Sequence, residues 1–151
     1  MTEHSQKIGV VILINELLRG GAQRIVLDIA QNIDRDRFAL QVVFLTEHAH
    51  FGPTTESVLA ELETSGIPVT CLLGGPLFRV GEAVRLYRFL RRAKPQVLQT
   101  FLPYAGTLGR IIGRIARVPF ITSVQCNLPV AYGPKTYWLD TLTLPIADAW
   151  T

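Results

Sequence analysis

Two adjacent glycines separate an apolar run from a periodic helical stretch in Asn15-Glu16-Leu17-Leu18-Arg19-Gly20-Gly21-Ala22. Such a pair leaves backbone N–H groups uncovered at a helix N-terminus, where the aligned peptide dipoles favour a phosphate or other anion. A plain turn is the alternative reading of Gly20 and Gly21. The stretch is not G-x-G-x-x-G, and no Gly-Lys-Ser/Thr follows to make a Walker A loop, so the sequence does not indicate an independent dinucleotide or ATP site.

Two further segments carry polar and aromatic side chains suited to holding a sugar or cyclitol by hydrogen bonds and ring contact. One is Gln99-Thr100-Phe101-Leu102-Pro103-Tyr104. The other is Ser123-Val124-Gln125-Cys126-Asn127-Leu128-Pro129. Gln99, Thr100, Phe101, Tyr104, Gln125 and Asn127 are the candidate binding residues, and a packed loop cap is the alternative role for the first segment. A nucleophilic Cys126 would need a base beside it, and no histidine follows His50 in the chain. G-x-S-x-G and H-E-x-x-H are both absent. His48 and His50 lack the Cys or second His cluster that would complete a tetrahedral metal site, and they read as exposed loop residues. Cys71 and Cys126 read as reduced thiols, because two cysteines make no disulfide framework.

The formal net charge of +3 is unevenly spread. Between Arg79 and Arg117 there are nine basic residues against Glu82 alone, a local +8 that leaves −5 for the rest of the chain. Arg85, Arg88, Arg91 and Arg92 fall on one face of a helical segment. They read either as a solvated face with cations near a helix C-terminus or as a contact for an anionic membrane surface. A nucleic-acid surface is not indicated, since interleaved aromatics and a known binding module are missing.

Positioning these loops requires strands and helices in alternation. Strand-like runs begin near Ile8, Ala39, Ile67, Gln96, Pro119 and Ile146, each followed by helical periodicity up to the last. Ile8 to Ile14 and Leu40 to Leu45 are nearly continuous β-branched and apolar runs, as parallel strands buried on both faces require. In the first helix Ala22, Ile25, Val26, Ile29, Ala30 and Ile33 follow the i, i+3, i+4 pattern. The second is expected over Thr55 to Ser65, ended by Gly66 and Pro68. The third, Gly81 to Lys94, is expected to turn Ala83, Leu86, Tyr87 and Leu90 inward and to stop at Pro95. The fourth, Tyr104 to Arg117, lines up Gly106, Gly109 and Gly113, which implies tight packing or a ligand. The units share no signature beyond strand and helix, so an internal repeat is rejected. Right-handed crossovers then give an α/β fold: one open, doubly wound, mainly parallel Rossmann-like sheet with helices on both faces, and ligands beyond the carboxyl ends of the strands.

The 151 residues, 48% of them hydrophobic, suit a single domain spanning 1–151. The longest apolar run, Ile8 to Ile14, falls well short of the ~20 residues of a membrane span. The polar Met1 to Lys7 segment and the lack of a small-residue cleavage site argue against a secretory signal, giving a cytoplasmic expectation.

Gly20-Gly21-Ala22-Gln23-Arg24, Ser65-Gly66-Ile67-Pro68-Val69 and Pro95-Gln96-Val97-Leu98-Gln99-Thr100, followed by Leu102-Pro103-Tyr104-Ala105, Leu108-Gly109-Arg110 and Val118-Pro119, together resemble the N-terminal domain of family 4 glycosyltransferases. The resemblance runs from Ile8 to Asp148. It implies one half of a GT-B fold, in which two Rossmann-like domains face each other across a cleft and a sugar passes from a nucleotide donor with retention of configuration and without a metal or other cofactor. Gly20 and Gly21 would approach the donor's phosphates and sugar, and the loops after the fourth and fifth strands would face a glycan or lipid-linked acceptor. A C-terminal nucleotide-sugar domain with an E-x7-E signature lies outside these 151 residues, so the domain is expected to be inactive alone and to self-associate through its uncovered surfaces. Many relatives carry histidine where this chain has Gln99, Phe101 or Tyr104, and no catalytic residue is assigned. A stand-alone Rossmann-like module binding a small anionic ligand is the competing reading.

Overall fold

In the computed structural model, which describes residues 6–45, 57–72, 78–125 and 134–151, six parallel strands form one sheet in the order β3-β2-β1-β4-β5-β6. The strands are β1 (Ile8–Ile14), β2 (Phe38–Phe44), β3 (Val69–Cys71), β4 (Val97–Phe101), β5 (Phe120–Val124) and β6 (Ala149–Trp150). The helices between them are α1 (Gly21–Asn32), α2 (Leu59–Thr64), α3 (Phe78–Ala93), α4 (Pro103–Ile115) and α5 (Pro134–Thr143), the last followed by a 3-10 turn at Leu144–Ile146.

β1 lies at the centre, pairing with β2 from Ile8↔Phe38 to Ile14↔Phe44 and with β4 from Val10↔Val97 to Leu13↔Thr100. Because successive side chains alternate across a strand, Val10, Ile12 and Ile14 enter one core, with α1 and α2. Val11 and Leu13 enter the other, with α3 and α4. The unbroken apolar run of β1 is thus two half-strands serving two cores, as the sequence predicts.

The helix faces differ from the periodicity. α1 buries Ala22, Gln23, Val26, Leu27 and Ala30, while Ile25 is 42% exposed. The helix is rotated toward Gln23, whose Nε2 donates to the Glu16 carbonyl at 3.3 Å. In α3, Leu86 and Leu90 are buried as expected, but Tyr87 is exposed; Phe89 packs instead, and Glu82 is turned inward. α2 begins at Leu59, its first turn held by Ser57, whose Oγ accepts from the Leu59 N–H at 3.1 Å, and Thr55, the expected start, lies outside the described residues. β3 starts at Val69, two residues late. Ile67 is buried in the first core but makes no ladder pair, and Val42 N–H bonds to the Pro68 carbonyl instead.

The glycine line of α4 is a packing device against side chains. A Cβ on Gly109 would lie 2.5 Å from Thr100 Cγ2 and 2.9 Å from Leu13 Cδ2. One on Gly113 would meet Leu98 and Ile121 at 2.8 and 2.9 Å. The bare helix therefore sits directly on the sheet.

Candidate functional site

In the 3-2-1-4-5-6 order, chain direction across the sheet reverses between β1 and β4, and the crevice beyond their carboxyl ends is where ligands of such folds bind. From β1 comes the Asn15-to-Gly21 loop; from β4 come Leu102, Pro103 and Tyr104. Asn15 Oδ1 accepts from the Ala105 N–H at 2.7 Å. This contact supplies α4 with the cap that its own N-cap residue, Leu102, lacks. Leu102 has φ 69° and ψ 151°, a region that strongly favours glycine. A strained, buried residue thus marks the switch point.

Gly20 and Gly21 are exposed at the start of α1. Gly20 is extended, no side chain among the described residues caps the helix, and no acid occupies its first turn. Among the described residues, no atom outside the helix's own backbone lies within 4 Å of where a Gly21 Cβ would be. The loop itself is anchored: Leu18 bridges to Ser57, Val58 N–H bonds to the Leu17 carbonyl at 3.0 Å, and Arg19 pairs with Glu61 at 2.5 Å. The helix end therefore presents its first N–H groups from a fixed support.

The acceptor-side candidates divide. Tyr104 sits in the first turn of α4, half-buried, with its hydroxyl donating to Glu82 of α3. Gln99 is half-buried on β4, and Gln125, exposed at the end of β5, donates to Asp140 Oδ2 at 2.7 Å. Thr100 and Phe101, the other two candidates in this segment, have no accessible surface. Thr100 Oγ1 shares a hydrogen bond with Ser123 Oγ at 3.0 Å, and Phe101 is the last residue of β4, packed in the α1-side core. Asn127, Cys126 and the three histidines lie outside the described residues, as do the segments following β2, β3 and β5, at 46–56, 73–77 and 126–133.

Sequence reasoning missed the centre of the polar cluster. Arg110 of α4 is fully buried and donates to Ser123 Oγ at 2.6 Å, to the Asp140 carbonyl at 2.9 Å and to Thr143 Oγ1 at 2.7 Å, and it forms an ion pair with the Asp140 carboxylate. Two signals were present. Arg110 follows Gly106 by four residues on the sheet-facing line, and Asp140 is the only acid between Gln125 and Asp148.

Arg85, Arg88, Arg91 and Arg92 are all exposed on α3, beside Val80, Val84 and Tyr87. Arg110 and Arg114 do not add to that surface, being paired with Asp140 and Asp148. Among the described residues, no helix is long and apolar enough to cross a membrane. Two adjoining clefts of about 270 and 260 Å³ lie at the opposite, N-terminal edge of the sheet, away from the crevice.

Sheet order, helix layers and crevice together define a Rossmann-like domain. The model of the glycosyl transferase 4-like domain matches residues 20–149, and the chain belongs to that family. Among solved structures, HepE of Anabaena, crystallised with UDP, is similar at 19% identity and a TM-score of 0.73, over 95% of this chain and 37% of that one. MurG of Acinetobacter baumannii is similar at 14% and 0.65, over 95% and 40%. A Listeria monocytogenes protein described as a UDP-N-acetylglucosamine 2-epimerase is similar at 14% and 0.60, over 96% and 39%. The chain therefore spans about two fifths of the length of each of these structures. No curated protein matches it in sequence.

Proposed function

We propose that this domain is the acceptor-side half of a retaining glycosyltransferase of the hexosyltransferase type, transferring a sugar from a nucleotide-sugar donor to a glycan or lipid-linked acceptor of the cell envelope. The observation that carries the reading is the anchored, uncapped α1 N-terminus at Gly20-Gly21, inside the matched family segment and facing the switch-point crevice. It offers partial positive charge to the donor's phosphates. Tyr104, Gln99, Gln125 and Asn127 are assigned to the acceptor side. In this reading a second domain holds most of the nucleotide, transfer needs no metal, and the isolated domain is inactive and self-associates. The setting is the cytoplasm, with the exposed arginines of α3 resting on an anionic inner membrane face. UDP-sugars are the first donors to test, because UDP is named for HepE and a UDP-sugar for the Listeria protein.

Saturation-transfer NMR of the 151-residue chain with UDP-, GDP- and ADP-sugars and with acceptor mimics tests this, using Gly21→Asp as the probe. The new side chain meets no neighbour among the described residues, and an acid in the first helical turn suits the dipole. Folding stability should therefore hold while any anion binding at the loop falls at least tenfold. Weak or undetectable nucleotide-sugar binding, together with an acceptor mimic bound near Tyr104, supports the reading. Tight nucleotide binding lost in Gly21→Asp would instead make the domain an autonomous binding module.

A further inference from the structure

At the edge of the sheet opposite the crevice, α3 and α4 end side by side, and the residue closing each is left-handed without being glycine: Lys94 at φ 46° and Arg117 at φ 62°. Glycine is the common occupant of such positions because it has no Cβ to clash. Here both carry long cations, and with Arg91 both line the cleft of about 270 Å³. The adjoining cleft of about 260 Å³ shares Lys94 and adds Lys7. Among the described residues, no acid lines either cleft.

These cations are not needed to close the helix ends. Lys94 N–H bonds to the Leu90 carbonyl at 2.9 Å, Arg117 N–H to Arg114 at 3.0 Å and Val118 N–H to Gly113 at 2.9 Å. Four formal positive charges also outweigh the roughly half negative charge of each helix end. Gln96 lines both clefts and is oriented: its Oε1 accepts from the Gly9 N–H at 2.6 Å, leaving the NH2 end as the group to offer. A Cβ on Gly9 would lie 2.9 Å from that oxygen. The cleft is thus walled by donors: guanidinium forks, ammonium groups and a pinned carboxamide.

We propose that this cleft binds a phosphate group, as a phosphomonoester or diphosphate, at a site separate from the crevice. Guanidinium forks match phosphate oxygens in pairs, and a lysine adds a point charge. The phosphate belongs either to a soluble metabolite or to a lipid headgroup, two sources with the same recognition chemistry.

The test is titration of the 151-residue chain with pyrophosphate, followed by amide NMR, for the wild type and for a Lys94→Gly/Arg117→Gly variant. Glycine suits both backbone conformations, so the variant melts no lower than the wild type while losing two of the cations. Saturable shifts are expected in residues 90–96 and 116–118, weakening about thirtyfold in the variant, at roughly fivefold per cation removed. Arg24→Ala, which removes an exposed arginine on α1, should bind as the wild type does. Co-sedimentation with phosphatidylcholine vesicles, with and without phosphatidic acid, separates the sources. Variant-sensitive retention on phosphatidic acid identifies a lipid headgroup, and pyrophosphate binding without retention identifies a soluble ligand. Shifts confined to Gly20–Gln23, equal binding by wild type and double variant, equal losses in Arg24→Ala, or no binding to either probe would overturn the proposal.

Discussion

Replacing Arg110 with Met keeps most of the side-chain length and removes the charge from the polar cluster beneath the crevice. The Asp140 carboxylate, only 7% exposed, would then be left buried without its cation, and Ser123 and Thr143 would lose their donor. Breaking a buried pair on one side costs about 3–5 kcal/mol, a large part of the ~5–15 kcal/mol by which a domain is stable. At roughly 2–4 °C per kcal/mol for a chain of this size, the melting temperature should fall by about 6–20 °C. Substituting both partners, as Arg110→Met/Asp140→Leu, removes the orphaned charge and should recover about half of the loss or more. Urea unfolding followed by circular dichroism gives the three free energies. A single-variant loss under about 1 kcal/mol, or strictly additive losses in the double variant, would show that the pair does not brace α4, β5 and α5.

Other perturbations address the supports of the site. Asn15→Ala removes the oxygen that caps α4 and should cost about 0.5–2 kcal/mol in urea unfolding, with amide protection lost first around Tyr104 and Ala105. Gly109→Ala forces a methyl against Thr100 and Leu13 and should destabilise by about 1–3 kcal/mol, whereas alanine at an unobstructed helical glycine would stabilise. Asp148 is held below its ordinary pKa of 3.8 chiefly by the Arg114 side chain and then by the Ile121 N–H. Its contribution to stability is therefore full above about pH 4 and is lost as pH falls through the lowered folded value. Asp148→Asn should flatten that part of a stability–pH curve, and an unchanged acid limb would refute the assignment.

The sheet was legible because strands buried on both faces leave long β-branched runs, as in Ile8 to Ile14. Element ends were less so, because they depend on partners far along the chain. Ser57 fixes the start of α2 through Leu59, and Ile67 is packed without being paired. The faces of α1 and α3 follow neighbours rather than periodicity alone. Tyr87 stays outside, whereas Glu82 turns in because the Tyr104 hydroxyl meets it there. Gly20-Gly21 could be placed from the sequence, since a glycine pair before an apolar helix marks a helix start. Thr100 and Phe101 could not, because a polar or aromatic type near a strand end says nothing of which way the side chain points. Arg110 shows the same limit in reverse: an arginine in a helix reads as surface until the acid that neutralises it is found thirty residues away.

The central place of β1 also sets the order in which the chain can assemble. Its pairing with β2 closes a loop of about thirty residues, as Ile8↔Phe38 shows, while its other edge waits for β4, with Gly9 and Gln96 separated by 87 positions. With loop-closure entropy growing as (3/2)RT ln n, the second closure costs only about 1 kcal/mol more than the first. The burden falls on timing. During synthesis, the β1 edge that will receive β4 has no partner until the chain reaches Phe101, and an unpaired apolar edge is a template for pairing with other chains. Residues 6–72 made alone should therefore aggregate, and extension through β4 should be what makes the sheet soluble.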